Sequence, residues 1–71
     1  MNIPNLIRAR RLDLKLTQKA IGIKCGYRGA TAQALVAQWE AGTKSIPRSK
    51  LRRLAAHLDL NVQDLIPEET S

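Results

Sequence analysis

The sequence has few aromatic residues, one cysteine and no long hydrophobic run. Aromatic residues make up 3% of the chain, Tyr27 and Trp39 with no phenylalanine, so the core has to be aliphatic. A single cysteine cannot form a disulfide within the chain, which argues against a small secreted disulfide-rich protein. No apolar run approaches the roughly 20 residues of a membrane span, and the first residues lack the apolar core of a signal peptide. These absences predict a cytoplasmic protein without a membrane partner.

The residue patterns of enzymes and metal sites are also missing. One histidine and one cysteine, with no matching acid, do not make an activated nucleophile. The glycines do not form a phosphate-binding loop, because the Gly-Lys-Ser/Thr signature is missing, and no metal-ligand spacing occurs. We therefore expect no enzymatic activity, no cofactor, no metal and no small-molecule ligand.

Positive charge is what the sequence has in excess. Lys and Arg number 12 against 6 Asp and Glu, for a formal net charge of +6. All the basic residues lie within residues 8–53, which hold only the acids Asp13 and Glu40, whereas residues 54–71 carry the other acids and no Lys or Arg. A small basic body attracts a polyanion, and nucleic acid is the default candidate. Charge alone leaves open a solvated basic surface that serves solubility.

The apolar residues recur at helical spacing, and the alternation typical of strands is missing. The pattern predicts an all-α fold, with one domain over residues 1–67 and a polar tail at 68–71. Thr17 and Asn61 are good N-caps, and Gly42 is a good helix end. Five helices are predicted, at about residues 4–14, 17–25, 31–41, 47–58 and 62–66.

Each predicted helix has an apolar side that we expect to face the core. Trp39 is expected to pack in the core, and Cys25 to act as a small buried residue. The predicted apolar positions are Ile3, Leu6, Ile7, Leu14, Ile21, Cys25, Leu35, Val36, Trp39, Leu51, Leu54, Ala55 and Leu58.

Several residues spread over most of the chain form an ordered pattern. The pattern is Leu16-Thr17-Gln18, Gly26, Trp39-Glu40-Ala41-Gly42, Pro47, Leu51, Leu54-Ala55 and Leu58, then Asn61 after Leu60. It resembles the Cro/cI-type (XRE-like) helix-turn-helix family of phage repressors and bacterial transcriptional regulators, over about residues 7–66. The resemblance implies a compact lambda-repressor-like five-helix domain whose helices 2 and 3 form the helix-turn-helix.

The sequence departs from the family between Gly26 and Trp39, where about four residues more than usual are present. Either the turn is a longer loop or the third helix starts earlier. Site residues are therefore matched by counting back from Trp39-Glu40.

On this count the resemblance assigns DNA base contacts to one side of the third helix. A glutamine amide can bind adenine N6 and N7, and a small side chain allows close approach and contact with thymine methyl groups. The alternative is an Ala-rich helix whose glutamines are merely good helix formers. The predicted base contacts are Gln33, Ala34, Ala37 and Gln38.

The resemblance also implies contacts to the DNA phosphates. Gln18 opens the second helix, where backbone N–H groups and the helix dipole favour an anion. The alternative for Lys44 and Arg48 is ordinary surface charge. The predicted phosphate contacts are Gln18, Lys19, Arg28, Thr31, Lys44, Ser45 and Arg48.

Two further sets of residues are expected to be structural. The resemblance implies an ion pair between Arg11 and Glu40 that joins the first and third helices, and an arginine fork suits a carboxylate. The C-terminal part is more apolar than a monomer needs, which predicts a homodimer, at least on DNA. The predicted dimer residues are Leu58, Leu60, Val62 and Ile66.

Together these features predict a repressor that binds a double-stranded operator as a dimer and is associated with the nucleoid. Two alternatives remain open. One is an antitoxin-like or other protein-interaction module on the same fold. The other is a basic module that binds RNA or an anionic membrane without sequence preference.

Overall fold

The computed structural model describes residues 2–66 of the chain. These residues form four α-helices, and a short 3₁₀ turn at Val62–Leu65 follows the last of them. The all-α prediction is confirmed for this part of the chain, but the predicted fifth α-helix is wrong. The predicted polar tail at 68–71 lies outside the described residues. The helices are α1 Ile3–Asp13, α2 Gln18–Lys24, α3 Gly29–Ala41 and α4 Arg48–His57.

The 3₁₀ turn is short because both of its ends are fixed by the sequence. The Asn61 backbone N–H donates to the Asp64 carboxylate at 3.1 Å, which holds the first turn. Ile66 is already extended, with φ −93° and ψ 122°. A residue before proline is biased toward this conformation, so residue 67 prevents a second turn.

Side-chain caps start the first two helices. The Asn2 side-chain oxygen accepts a hydrogen bond from the Asn5 backbone N–H at 2.9 Å, and Pro4 lies in the first turn of α1. The Thr17 hydroxyl accepts one from the Ala20 backbone N–H at 3.0 Å, which confirms it as the cap of α2.

The third helix begins earlier than the predicted residue 31. It starts at Gly29 after the extended residue Arg28, which provides no side-chain cap. The connection from α2 is therefore short and comprises residues 25–28. Gly42 ends the helix as predicted, in the left-handed conformation with φ +78°.

The core is aliphatic around a single indole. Trp39 of α3 is 1% exposed, and the Tyr27 ring meets it edge-on at a centroid distance of 6.0 Å. Leu14 is 39% exposed, so its predicted place in the core is wrong. The physical reason is that α1 ends at Asp13, and Leu14 leaves its apolar side. The fully buried large side chains are Ile7, Ile21, Cys25, Val36, Trp39, Leu54, Leu58 and Leu65.

Helices α2 and α3 are in very close contact through Gly22 and Ala32, which are both buried. A Cβ atom on Gly22 would lie 2.6 Å from the Ala32 Cβ and closer still to the Ala32 carbonyl oxygen. Only glycine permits this approach, which holds α3 closely against α2. Among residues 2–66 no helix has the length and apolar character needed to cross a membrane.

Candidate nucleic-acid interface

One side of α3 is open to solvent and carries the four residues predicted to contact bases. Gln33, Ala34 and Gln38 are exposed and Ala37 is half-buried. These positions lie one helical turn apart in two neighbouring rows. We call this surface the α3 outer face. The opposite side of the helix is buried through Ala32, Val36 and Trp39.

The start of α2 lies beside the α3 outer face. Gln18, Lys19 and Gln33 line a shared cleft of about 700 Å³, together with residues at the end of α1. The structure thus brings a predicted base contact next to two predicted phosphate contacts. Lys15 also lines this cleft, although it is not among the predicted phosphate contacts. Its position two residues before the Thr17 cap was the available signal.

The remaining predicted phosphate contacts do not reach this cleft. Lys44, Ser45 and Arg48 line a separate groove of about 420 Å³ between the N-terminus of α1, Trp39 and the 3₁₀ turn. All three residues are exposed. Five of the seven predicted phosphate contacts therefore form two groups, one at the start of α2 and one between α3 and α4. Arg28 and Thr31 are exposed at the N-terminal end of α3.

Arg11 and Glu40 form a well-shielded ion pair. Arg11 Nε donates to Glu40 Oε2 at 2.6 Å and Arg11 Nη2 donates to Glu40 Oε1 at 3.1 Å. Their side chains are 11% and 6% exposed. Arg11 Nη1 also donates to the Leu16 carbonyl oxygen at 2.9 Å. This two-pronged geometry is the strong form of a guanidinium–carboxylate contact, and it fixes α3 to α1.

The same carboxylate also holds the start of α2. Gln18 Nε2 donates to Glu40 Oε1 at 3.3 Å, so one acidic group connects three helices. Gln18 is half-buried, and its amide is oriented by this contact. Because the Gln18 side chain is already ordered, it would lose little conformational freedom if an anion bound at the start of α2.

The predicted dimer surface needs correction. Leu58 is 1% exposed and packs within the core of its own chain, so a second chain cannot reach it. Leu60 and Val62 are half-buried against that core. Ile66 is 46% exposed and is the most accessible of the four predicted dimer residues.

Cys25 is buried at the end of α2, as predicted, close to two basic residues of α4. Burial raises the pKa of the Cys25 thiol above its ordinary value, and the positive charges of Lys50 and Arg53 partly oppose this rise. The thiol is therefore protonated and shielded at neutral pH, and it packs as a small apolar group.

These contacts describe a basic helical protein with an exposed polar face on one helix. No protein-family model, curated protein or solved structure matches the chain.

Proposed function

We propose that the protein binds double-stranded DNA in a sequence-specific manner and acts as a transcriptional repressor of the Cro/cI type. In this proposal α2 and α3 form the helix-turn-helix, and α3 is the recognition helix. The observation that carries it is the α3 outer face, which presents two glutamines and two alanines to solvent. An exposed helix with short and amide side chains can enter the major groove and contact base edges.

The distribution of basic and polar residues supports the same proposal. Gln18 and Lys19 lie beside the α3 outer face at the start of α2. Lys44, Ser45 and Arg48 lie in a different groove after α3. Two separate groups of phosphate-binding side chains suit the two DNA strands that border a major groove. The net charge of +6 adds a long-range attraction to DNA.

We further propose that the protein binds a near-palindromic operator as a dimer. Recognition helices of such dimers enter successive major grooves about 34 Å apart. Ile66, with the half-buried Leu60 and Val62, is the surface that remains for this dimer once Leu58 is assigned to the core. Repression would follow from exclusion of polymerase from the operator.

Replacing Gln33 or Gln38 by alanine should relax sequence preference on DNA. Each change removes a two-bond contact to a base, which is worth roughly 1–3 kcal/mol of discrimination. Selection from random duplex DNA at near-physiological salt identifies the preferred site, and affinities for that site and single-base variants then measure the loss. Gln63→Ala is the matched control, because Gln63 is an exposed glutamine in the 3₁₀ turn.

Selection that enriches an inverted repeat would support a dimeric repressor. Steeply salt-dependent binding without any enriched sequence would contradict it and leave a charge-driven nucleic-acid-binding module. Equal losses for Gln38→Ala and Gln63→Ala would remove the α3 outer face from the proposal.

A further inference from the structure

Two basic side chains of α4 converge on the connection between α2 and α3. Arg53 Nη1 lies 3.0 Å, and Lys50 Nζ 3.4 Å, from the point where a Cβ atom on Gly26 would stand. Lys50 Nζ also lies 5.0 Å from the centroid of the Tyr27 ring. The ring face fixes the ammonium by a cation–π contact. Both cations are therefore directed at one place beside the Gly26 backbone.

The positive charges of Lys50 and Arg53 have no acidic partner among the described residues. The ion pairs among residues 2–66 involve Arg10 and Arg11, and neither Lys50 nor Arg53 takes part in one. Neither side chain donates a hydrogen bond to another described residue. Two positive groups so close together repel each other. Their free N–H groups can donate hydrogen bonds to an anion, and an anion between them would relieve their repulsion.

Gly26 keeps the place between the two cations open. Its φ is +102°, a conformation that side chains rarely adopt, and a Cβ atom would fill the space beside the guanidinium. Gly26 and Arg53 are exposed and Lys50 is half-buried, so an anion can enter from solvent.

We propose that Lys50, Arg53 and the open face of Gly26 form an anion site that takes a phosphate group. A phosphate has several acceptor oxygens and a charge that balances two cations, and it fits a guanidinium fork beside an ammonium. None of these three residues is among the phosphate contacts named above, and the two cations face away from Arg48. At about 100° per residue, Lys50 and Arg53 lie about 200° and 140° around α4 from Arg48.

The test uses inorganic phosphate as the probe and amide NMR signals as the readout. Phosphate is added at constant ionic strength, with chloride as the balancing anion. Gly26 and Tyr27 should show saturable shifts. The double variant Lys50→Gln with Arg53→Gln should weaken binding by about tenfold or more. Lys50→Arg keeps the charge and should retain binding within about threefold of the parent.

Arg52→Gln is the matched control, because Arg52 is an exposed α4 residue and the change removes the same charge. It should leave phosphate affinity nearly unchanged. An equal loss for Arg52→Gln and Arg53→Gln would overturn the proposal by showing that only net charge matters. The absence of a saturable Gly26 shift in the parent protein would overturn it directly.

The source of the phosphate is decided with a duplex DNA of random sequence. A double variant whose DNA affinity depends less steeply on salt would place a backbone phosphate in the site. Unchanged DNA binding, with phosphate binding lost, would assign the site to free phosphate or a small phosphorylated compound. The phosphate titration does not depend on the proposed repressor function, so failure of DNA binding would leave this test intact.

Discussion

Replacing Gly22 by alanine should destabilise the protein by about 3 kcal/mol. Helix propensity alone predicts the opposite sign, a gain of about 1 kcal/mol for alanine in a helix interior. The close approach of α2 and α3 decides the outcome, because the new methyl group would overlap the Ala32 backbone carbonyl. A backbone group cannot rotate away, so the two helices would have to separate. A domain of this size is stable by only roughly 4–10 kcal/mol, so the variant would be marginally folded.

Urea denaturation followed by Trp39 fluorescence measures this loss. Gly29→Ala is the control, because a Cβ atom there has no neighbour within 4 Å. Unlike Gly22, Gly29 has a positive φ, +59°. It should cost only the left-handed backbone strain, about 1–2 kcal/mol. A Gly22→Ala protein as stable as the parent would mean that the α2–α3 contact is not tight in solution.

Replacing Glu40 by glutamine should cost about 3–5 kcal/mol of stability. The change leaves the Arg11 guanidinium shielded from water without a compensating charge. The removal of both charges should be much less harmful, since an apolar pair of similar volume can replace a buried ion pair at little cost. The free energies of unfolding of Glu40→Gln, Arg11→Met and the double variant Arg11→Met with Glu40→Leu measure this difference.

An exposed ion pair on α1, the helix that carries Arg11, provides the comparison. Arg10 and Asp13 approach at 3.5 Å, with side chains 28% and 71% exposed. Asp13→Asn should cost less than about 1 kcal/mol, because solvent screens this pair. Equal losses for Glu40→Gln and Asp13→Asn would show that the Arg11–Glu40 pair is no more important to the fold than a surface contact.

Capping residues and apolar spacing predicted the helices. The start of α3 and the exposure of Leu14 were not predicted, because no local sequence signal marks them. The Thr17 side chain marks the start of α2, and the Asn61 backbone N–H bonds the Asp64 side chain at the start of the 3₁₀ turn. Both hydrogen bonds join residues three positions apart, so these signals can be seen in the sequence. The start of α3 had no such signal, because Arg28 provides no side-chain cap. Leu14 has the spacing of a core residue, but the position where α1 ends decides its exposure.

In the candidate site, too, some residues are placed by a local pattern and others are brought together only by tertiary packing. The helical period alone places Gln33, Ala34, Ala37 and Gln38 on the side opposite the buried Trp39. The convergence of Lys50 and Arg53 on Gly26 depends on how α4 packs against the α2–α3 connection, which no local pattern encodes. The burial of Leu58 has the same origin, because its apolar character fits a core and a dimer surface equally well.

The edge-on contact between Tyr27 and Trp39 gives the protein an internal optical pair. At 6.0 Å between ring centroids, excitation of the tyrosine passes efficiently to the indole. The folded chain should therefore emit almost only as tryptophan, and tyrosine emission should appear when the α2–α3 connection moves away from the core. Because Lys50 lies over the same Tyr27 ring, the donor is also next to the proposed anion site. These are the molecule's only two aromatic side chains, so this transfer has no competing signal.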